Sequence, residues 1–401
     1  MSKIITSSIW SAHDIPNGIS FDSNLGVFSG TPNVPAGEYV VPVSVSTNYG
    51  SDNKDVRFII DEQANPVYAI GSQAARWSNN AEPDDYGFRK LDTPDASRLS
   101  TIPAGFAAKC KGGKWYLGSS SSLPIYGGNG KDKGKSYYSP DVFDVDDVIN
   151  ITGGKMNVAN HGIYFAFQTH DETAVFGYSN ASTGYTNTFK YYMDNIKLLH
   201  KDFAYGFSMV SYDNEIFAST INNVGINTKP IFSSDVPINK IITRIITNTF
   251  SYFFLNAEAN LLEFSINNPY RSDTAAPEII LNNVSDIWMR YGNDQLYALL
   301  NNGQLFGRGN NTSYMLGHAS NGEYFNDFVY LGDFDAKKIE AGFMLTRDGK
   351  LFHTGAAISG IAPACEGWCH IFPEYSFQDF SYIPSDASAL GTKTLTAIIK
   401  E

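Results

Sequence analysis

From residue 66 onward the sequence repeats a theme, and that repeat constrains the fold more than any other feature of the 401-residue chain. An apolar segment leads to a short strand-like run, a turn with Gly or Asn, a second run ending in Gly, and a polar stretch. The clearest copy is Val284-Ser285-Asp286-Ile287-Trp288, Gln295-Leu296-Tyr297-Ala298-Leu299-Leu300, Asn301-Asn302-Gly303, then Gln304-Leu305-Phe306-Gly307-Arg308-Gly309-Asn310-Asn311 and Leu316-Gly317. The next is Lys338-Ile339-Glu340-Ala341-Gly342, Phe343-Met344-Leu345-Thr346, Arg347-Asp348-Gly349, then Lys350-Leu351-Phe352-His353-Thr354-Gly355. Asn-Gly and Asp-Gly predict two-residue type I′ hairpins, whose central positions favour positive φ.

Weaker copies keep the order. Second-strand aromatic anchors fall at Tyr116, Phe176, Phe217, Phe264, Phe306 and Phe352, at intervals mostly in the forties. Such a period, built from short strands, predicts a β-propeller whose aromatics are core anchors. Six copies are visible. The ends predict a seventh, split one: Leu395-Thr396-Ala397-Ile398-Ile399 reads as one strand and Val67-Tyr68-Ala69-Ile70-Gly71-Ser72 as its partner. The expectation is an all-β chain with a seven-bladed propeller over 66–401, closed by strands from both ends. Closure leaves no unpaired terminal blade.

The copies containing Gly303-Gln304-Leu305-Phe306-Gly307-Arg308-Gly309-Asn310 and Leu345-Thr346-Arg347-Asp348-Gly349, with Leu316-Gly317, resemble the regulator-of-chromosome-condensation repeat family. The family histidine before the first strand is missing throughout. The founder's nucleotide-exchange activity is not carried over, because it belongs to specific surface residues and fold does not imply function.

Residues 1–62 read differently. Val41, Val43 and Val45 alternate with Pro42, Ser44 and Ser46, the period of a strand buried on one face. Turn signals stand at Pro16-Asn17-Gly18, Ser29-Gly30-Thr31-Pro32 and Asn48-Tyr49-Gly50. The runs Ile15-Pro16-Asn17-Gly18-Ile19, Gly26-Val27-Phe28-Ser29-Gly30-Thr31-Pro32, Gly37-Glu38-Tyr39 and Val43-Ser44-Val45-Ser46-Thr47-Asn48-Tyr49-Gly50 resemble the immunoglobulin-like (cadherin-like) modules of bacterial surface and phage proteins. The resemblance implies a small β-sandwich used as a spacer or docking module. Asp14, Asp22 and Asp52 are scattered and make no calcium loop.

Composition narrows the function. Charged residues are 17% of the chain, aromatics 14%, and the net charge is −12. An acidic chain without clustered Lys and Arg argues against nucleic acid and anionic membranes as partners. No apolar run reaches about 18 residues, so no membrane insertion is expected. No signal peptide precedes Trp10, so synthesis in a reducing cytoplasm is expected.

Candidate chemistry is sparse. Cys365-Glu366-Gly367-Trp368-Cys369-His370 admits a zinc site lacking a fourth ligand, a disulfide, or two incidental thiols. Four carboxylates within Asp141–Asp147 lack EF-hand glycine geometry and read as a solvated connector. The Gly- and Lys-rich run 127–135 has no Ser or Thr after Lys135 and reads as an inter-blade loop. The seven His form no close pair and flank no nucleophile motif, so no catalytic, metal or cofactor residue is assigned.

The expected function is therefore non-enzymatic: a virion structural protein of a tailed phage, made in the host cytoplasm and incorporated into the particle. Residues 1–62 would dock on other virion proteins, and the propeller would serve attachment or decoration of capsid, collar or tail. Alternatives are a host-receptor-binding or adhesin protein contacting surface glycan or protein, and a bacterial interaction scaffold. Candidate binding loops carry Trp77, Asn79 and Asn80; Tyr178 and Asn180; Asn222 and Asn223; Tyr270 and Arg271; and Asn310 and Asn311. Tyr and Asn suit such contacts, although the same residues serve ordinary turn chemistry.

Overall fold

The computed structural model describes residues 8–400 except 35–36, 61–62, 73, 75–77, 79–81, 103–104, 111–114, 120–149, 156–162, 169–171, 182–183, 203–205, 223–224, 247–248, 267–275, 291–294 and 384–392. The chain divides into two compact units, Met1–Gln63 and Ala64–Glu401.

In the first unit, β1 (Ser8–Ala12), β4 (Gly37–Thr47) and β5 (Gly50–Ile60) form one sheet in the order β1-β4-β5, and β2 (Ile19–Asp22) pairs with β3 (Val27–Gly30). Alternation works as the sequence predicts. Trp10 stands opposite Val45 and Ala12 opposite Val43, on the face that buries Val41. Phe28 joins the two sheets, 4.6 Å from the Phe21 ring and 4.9 Å from Phe58. The Trp10 ring lies on Gly26, where a Cβ would approach it to 2.7 Å. Gly26 also takes φ +68°, so close approach and backbone both require glycine there.

The second unit is a succession of antiparallel sheets. In chain order the strands are β6 (Val67–Gly71), β7 (Arg89–Lys90), β8 (Ala96–Ile102), β9 (Gly105–Cys110) and β10 (Trp115–Ser119). Next come β11 (Asn150–Lys155), β12 (Ile163–Gln168), β13 (Glu172–Ala181) and β14 (Gly184–Asp194), then β15 (Ile196–Asp202), β16 (Gly206–Ser211), β17 (Glu215–Asn222) and β18 (Gly225–Ser233). They are followed by β19 (Ile238–Ile246), β20 (Thr249–Asn256), β21 (Leu261–Ile266) and β22 (Glu278–Leu281), and by β23 (Val284–Arg290), β24 (Gln295–Leu300), β25 (Gln304–Asn310) and β26 (Tyr324–Asp333). Last are β27 (Ala336–Glu340), β28 (Phe343–Thr346), β29 (Leu351–Gly355) and β30 (Cys365–Ile371), then β31 (Phe377–Ile383) and β32 (Thr394–Ile399).

Each group of four from β11 to β30 is a consecutive four-stranded meander, β8 to β10 form a three-stranded sheet, and the remaining sheet has the order β31-β32-β6-β7. In that last sheet Leu395 faces Ile70 and Ala397 faces Tyr68, the pairing read from the two ends of the chain. The first strand of each sheet lies against the first strand of the next: β8 with β11, β11 with β15, then β19, β23, β27 and β31, and β31 with β8. Apolar clusters fill the spaces between neighbouring sheets; Phe343, Leu345, Leu351, Phe377, Phe380 and Leu395 share one of them.

Three sequence expectations need correction. The polar stretch after each second hairpin strand carries a fourth strand, as β26 and β30 show, because its residues need not be apolar to pair at an outer edge. The hairpin turns are not type I′. Gly303 and Gly349 take φ +86° and +88°, whereas Asn302 and Asp348 do not take positive φ, so a type I turn ends in a left-handed glycine. Finally, Phe306 and Phe352 are half-buried, and the preceding Leu305 and Leu351 are the fully buried anchors.

Candidate functional site

Six of the first strands share a device that the aromatic period did not reveal. β8, β15, β19, β23, β27 and β31 each carry a register shift after their first residue, skipping Ser97, Lys197, Asn239, Ser285, Lys337 and Gln378. The residue before each bulge is buried: Ala96, Ile196, Ile238, Val284, Ala336 and Phe377. A bulge bends the strand and re-aims the next side chain. That next residue is Arg98, Leu198, Lys240, Asp286, Lys338 or Asp379. The sequence signal is an apolar residue, two further positions (a bulge residue and usually a charge), then an apolar residue at each strand start.

These re-aimed groups stitch neighbouring sheets together. Lys240 Nζ lies 2.5 Å from Asp286 and 4.9 Å from the centre of the Trp288 ring. Lys338 Nζ donates to Asp379 at 3.0 Å, to the Leu99 carbonyl at 3.3 Å and to the Phe380 carbonyl. Asp379 accepts the Leu99 and Phe380 backbone N–H groups at 2.6 and 2.8 Å. The bulge residues bond as well: Gln378 Nε2 donates to the Ser97 carbonyl at 3.0 Å, and Lys337 Nζ to the Gln378 carbonyl at 2.9 Å. Burial holds the Lys240 ammonium below its ordinary value; Asp286 opposes this, while the charges of Arg98 and Lys338 add to it. Lys240 therefore feels the other two cations across the inner strands.

The loop after β25 contains the two candidate asparagines whose side chains are described. Asn311 is fully buried: its amide donates to the His318 carbonyl at 2.9 Å and to the Ser320 carbonyl, and its oxygen accepts the Leu316 N–H at 3.0 Å. Asn310 caps Thr312 N at 2.8 Å. Asn311 is thus an internal clamp of the loop rather than an exposed contact residue, because a buried amide must satisfy its own hydrogen bonds. The loop rests on Trp368, against which a Cβ on Gly317 would clash. Trp368 lies between Cys365 and Cys369, which form a disulfide with Cα atoms 5.9 Å apart. One strand can close on itself this way because its pairing slips between His353 and Gly355.

Tyr178 and Asn180 lie within β13, and Asn222 ends β17 beside its hairpin turn, so these three are strand positions rather than loop tips. Trp77, Asn79, Asn80, Asn223, Tyr270 and Arg271 lie outside the described residues, as do the 127–135 run and Asp141–Asp147. Exposed aromatics missed by sequence reading are Tyr86, Tyr324 and Tyr330. Tyr86 meets Tyr375, whose hydroxyl donates to Asp84 at 2.6 Å. Burial, then that carboxylate, raises the Tyr375 phenol.

Among the described residues no cluster of His, Cys, Asp and Glu has metal-binding geometry. Burial pushes the Cys110 thiol up to about 11, which keeps it protonated and a poor metal ligand. Ser320 bonds His318 Nδ1 at 2.7 Å and donates to Glu323 at 2.9 Å. Here the hydroxyl stands between imidazole and carboxylate, the reverse of the nucleophile–base–carboxylate order.

Residues 3–61 match the family model "Putative Ig domain". No curated protein matches the chain. Among solved structures, Prp20p from Saccharomyces cerevisiae, studied for binding to Gsp1p and histones, is similar at 10% identity and TM-score 0.58, covering 84% of this chain and 92% of that one. Human WBSCR16 is similar at 11% identity and TM-score 0.58, over 84% of this chain and 100% of that one. Yeast RCC1 (Prp20) bound to Kap60 is similar at 10% identity and TM-score 0.57, over 85% and 90%. At these identities the likeness shows fold alone: the chain joins an immunoglobulin-like module to an all-β unit of β-propeller fold.

Proposed function

We propose that this chain is a non-enzymatic assembly protein of a tailed-phage particle, docked through its immunoglobulin-like module and displaying a seven-bladed propeller for attachment or decoration. The observation carrying the docking role is the apolar surface of the small unit. Ile9 and Leu25 are each 70% exposed, and Val27, Val40 and Tyr49 are about half exposed. Ile9, which stands opposite Ser46, and Val40 share the face of the β1-β4-β5 sheet that points away from Val41, and that face is the docking surface of this reading. The phage assignment rests on the sequence resemblance of residues 1–62. The seven-bladed, closed reading is supported by the cyclic succession of first strands and by the β32–β6 pairing. Protein binding by one neighbour, the yeast Prp20p (RCC1), supports a protein-binding propeller as the model for this one.

The test is incorporation. Particles assembled with Ile9→Asp plus Val40→Asp chains should lack the protein by mass spectrometry, while the variant stays folded in solution. Wild-type incorporation by both would overturn the docking reading. The exposed Tyr324 and Tyr330 on β26 favour a second reading, host-surface contact by the propeller. Saturable binding of the full chain to host cells, weakened by Tyr324→Ser and Tyr330→Ser, would establish it.

A further inference from the structure

β30 is an outer strand of the β27-β28-β29-β30 sheet. Its ladder to β29 pairs Gly355 with Cys365 and His353 with Cys369, so Glu366, Gly367 and Trp368 stand opposite Thr354 alone. Thr354 is spent elsewhere: its N–H donates to the Gly342 carbonyl at 3.0 Å and its hydroxyl to the Tyr314 carbonyl at 2.8 Å. No ladder pair therefore holds the bulge residues Glu366, Gly367 and Trp368. The Cys365–Cys369 disulfide holds them instead, by clamping the ends of the bulge at a Cα separation of 5.9 Å. A regular strand would carry those two Cα atoms about 13 Å apart.

The bulge carries Trp368 onto the loop after β25. A Cβ on Gly317 would stand 2.2 Å from the indole nitrogen, and the Trp368 ring meets Tyr297 edge to face with centres 5.9 Å apart. This seat is opposed from within. The indole Nε1 is buried and has no hydrogen-bond partner among the described residues, and a buried donor left unpaired costs free energy. Trp368 therefore stays seated only while the bulge beneath it is held.

We propose that Cys365 and Cys369 form a redox latch: closed in an oxidising medium, it seats Trp368 under residues 311–317, and opened by thiols, it releases them. Cys365 is 3% exposed whereas Cys369 is half-buried, so a small-molecule thiolate attacks the Cys369 sulfur. That attack forms a mixed disulfide at Cys369 and expels the Cys365 thiolate, which takes up a proton; the Pro363 carbonyl, 3.8 Å from its sulfur, accepts the new S–H. A second thiolate then attacks the mixed disulfide, freeing Cys369 as a thiol and leaving the reagent as its own disulfide. A small-molecule disulfide closes the latch by the same steps in reverse. Reclosure is local, because backbone pairing with Gly355 and His353 keeps the two cysteines side by side. The latch lies outside the docking role and does not rest on it.

The test is native-state hydrogen exchange of the full chain, read by peptide mass spectrometry in oxidised and reduced glutathione. Peptide-level alkylation follows the pair separately from the buried Cys110. Reduction should quicken exchange at 311–317 about tenfold, the factor for a local opening made easier by roughly one hydrogen bond. β8 and β31 should be unchanged, and reoxidation should restore the slow rate. Cys365→Ser plus Cys369→Ser should exchange fast in both media; reduced wild type supplies the same comparison if that variant fails to fold. Trp368→Ala should exchange fast at 311–317 with its disulfide intact, which separates the seat from the latch. Equal rates in the two media, a rate that stays fast after reoxidation, or slow exchange in Trp368→Ala would each overturn the proposal. So would quickening spread evenly over all sheets, since the disulfide would then be a general brace.

Discussion

The two units are built from the same kind of strand but held together in opposite ways. In residues 1–63 Val41 is the deeply buried hydrophobic among the described residues, and the strands pair mostly with near neighbours in sequence. In residues 64–401 most first strands bury apolar residues against the next sheet, and one sheet pairs residues 67–71 with residues 394–398. The small unit is therefore local and thin, with apolar groups to spare on its surface. The large unit is cooperative, because each sheet completes its core only against its neighbours. A defect in either should remain in that unit.

The largest expected effect comes from the core of the large unit. Phe343→Ala should cost about 4 kcal/mol, within the range for emptying a buried aromatic site, since the ring contacts His353, Phe380 and Tyr382. Urea unfolding should show the loss in the propeller transition only. A single shifted transition for the whole chain would break the two-unit picture. Asp379→Ala should cost about 3 kcal/mol, because it leaves the Leu99 N–H without its acceptor and Lys338 with only the more distant Glu340. Faster native-state hydrogen exchange at β8 and β31 would place that loss at the join of first and last sheets.

In the small unit, Gly26→Ala should cost about 2 kcal/mol, from positive φ combined with the collision on Trp10. Trp10 fluorescence should report it while the propeller transition stays put. A subtler effect follows from His353, whose imidazole burial holds below its ordinary value. The unfolded state then binds the extra proton, so this contribution is complete above about pH 6.5 and declines as pH falls below it. The urea midpoint of His353→Asn should depend less on pH than wild type between pH 5 and 7; parallel curves would remove His353 as the cause. The smallest effect belongs to the exposed aliphatics. Ile9→Ser should change stability by less than about 0.5 kcal/mol, and a larger loss would mean that this surface supports the fold rather than a partner.

Much of the architecture was legible because it depends on local patterns. Val41, Val43 and Val45 declared their face by alternation, Gly303 and Gly349 marked hairpins through their backbone freedom, and the complementary end strands announced their pairing. The outer strands were not legible: β26 and β30 are polar enough to read as loop, since one edge and one face meet water. The candidate site was less legible still. Asn311 reads as a surface residue from its type and neighbours, yet the loop folds over it and spends its amide internally.

The sequence by itself determined the strand period, the glycine turns and the division into two modules, because each follows from side-chain alternation and backbone preference over a few residues. Only the tertiary structure decided which charges meet. The contacts made by Lys240, Asp286, Lys338 and Asp379, which bulges turn toward neighbouring sheets, join strands far apart in the chain. Burial sets the electrostatic consequence of a charge, and burial is a property of the assembled sheets rather than of any segment.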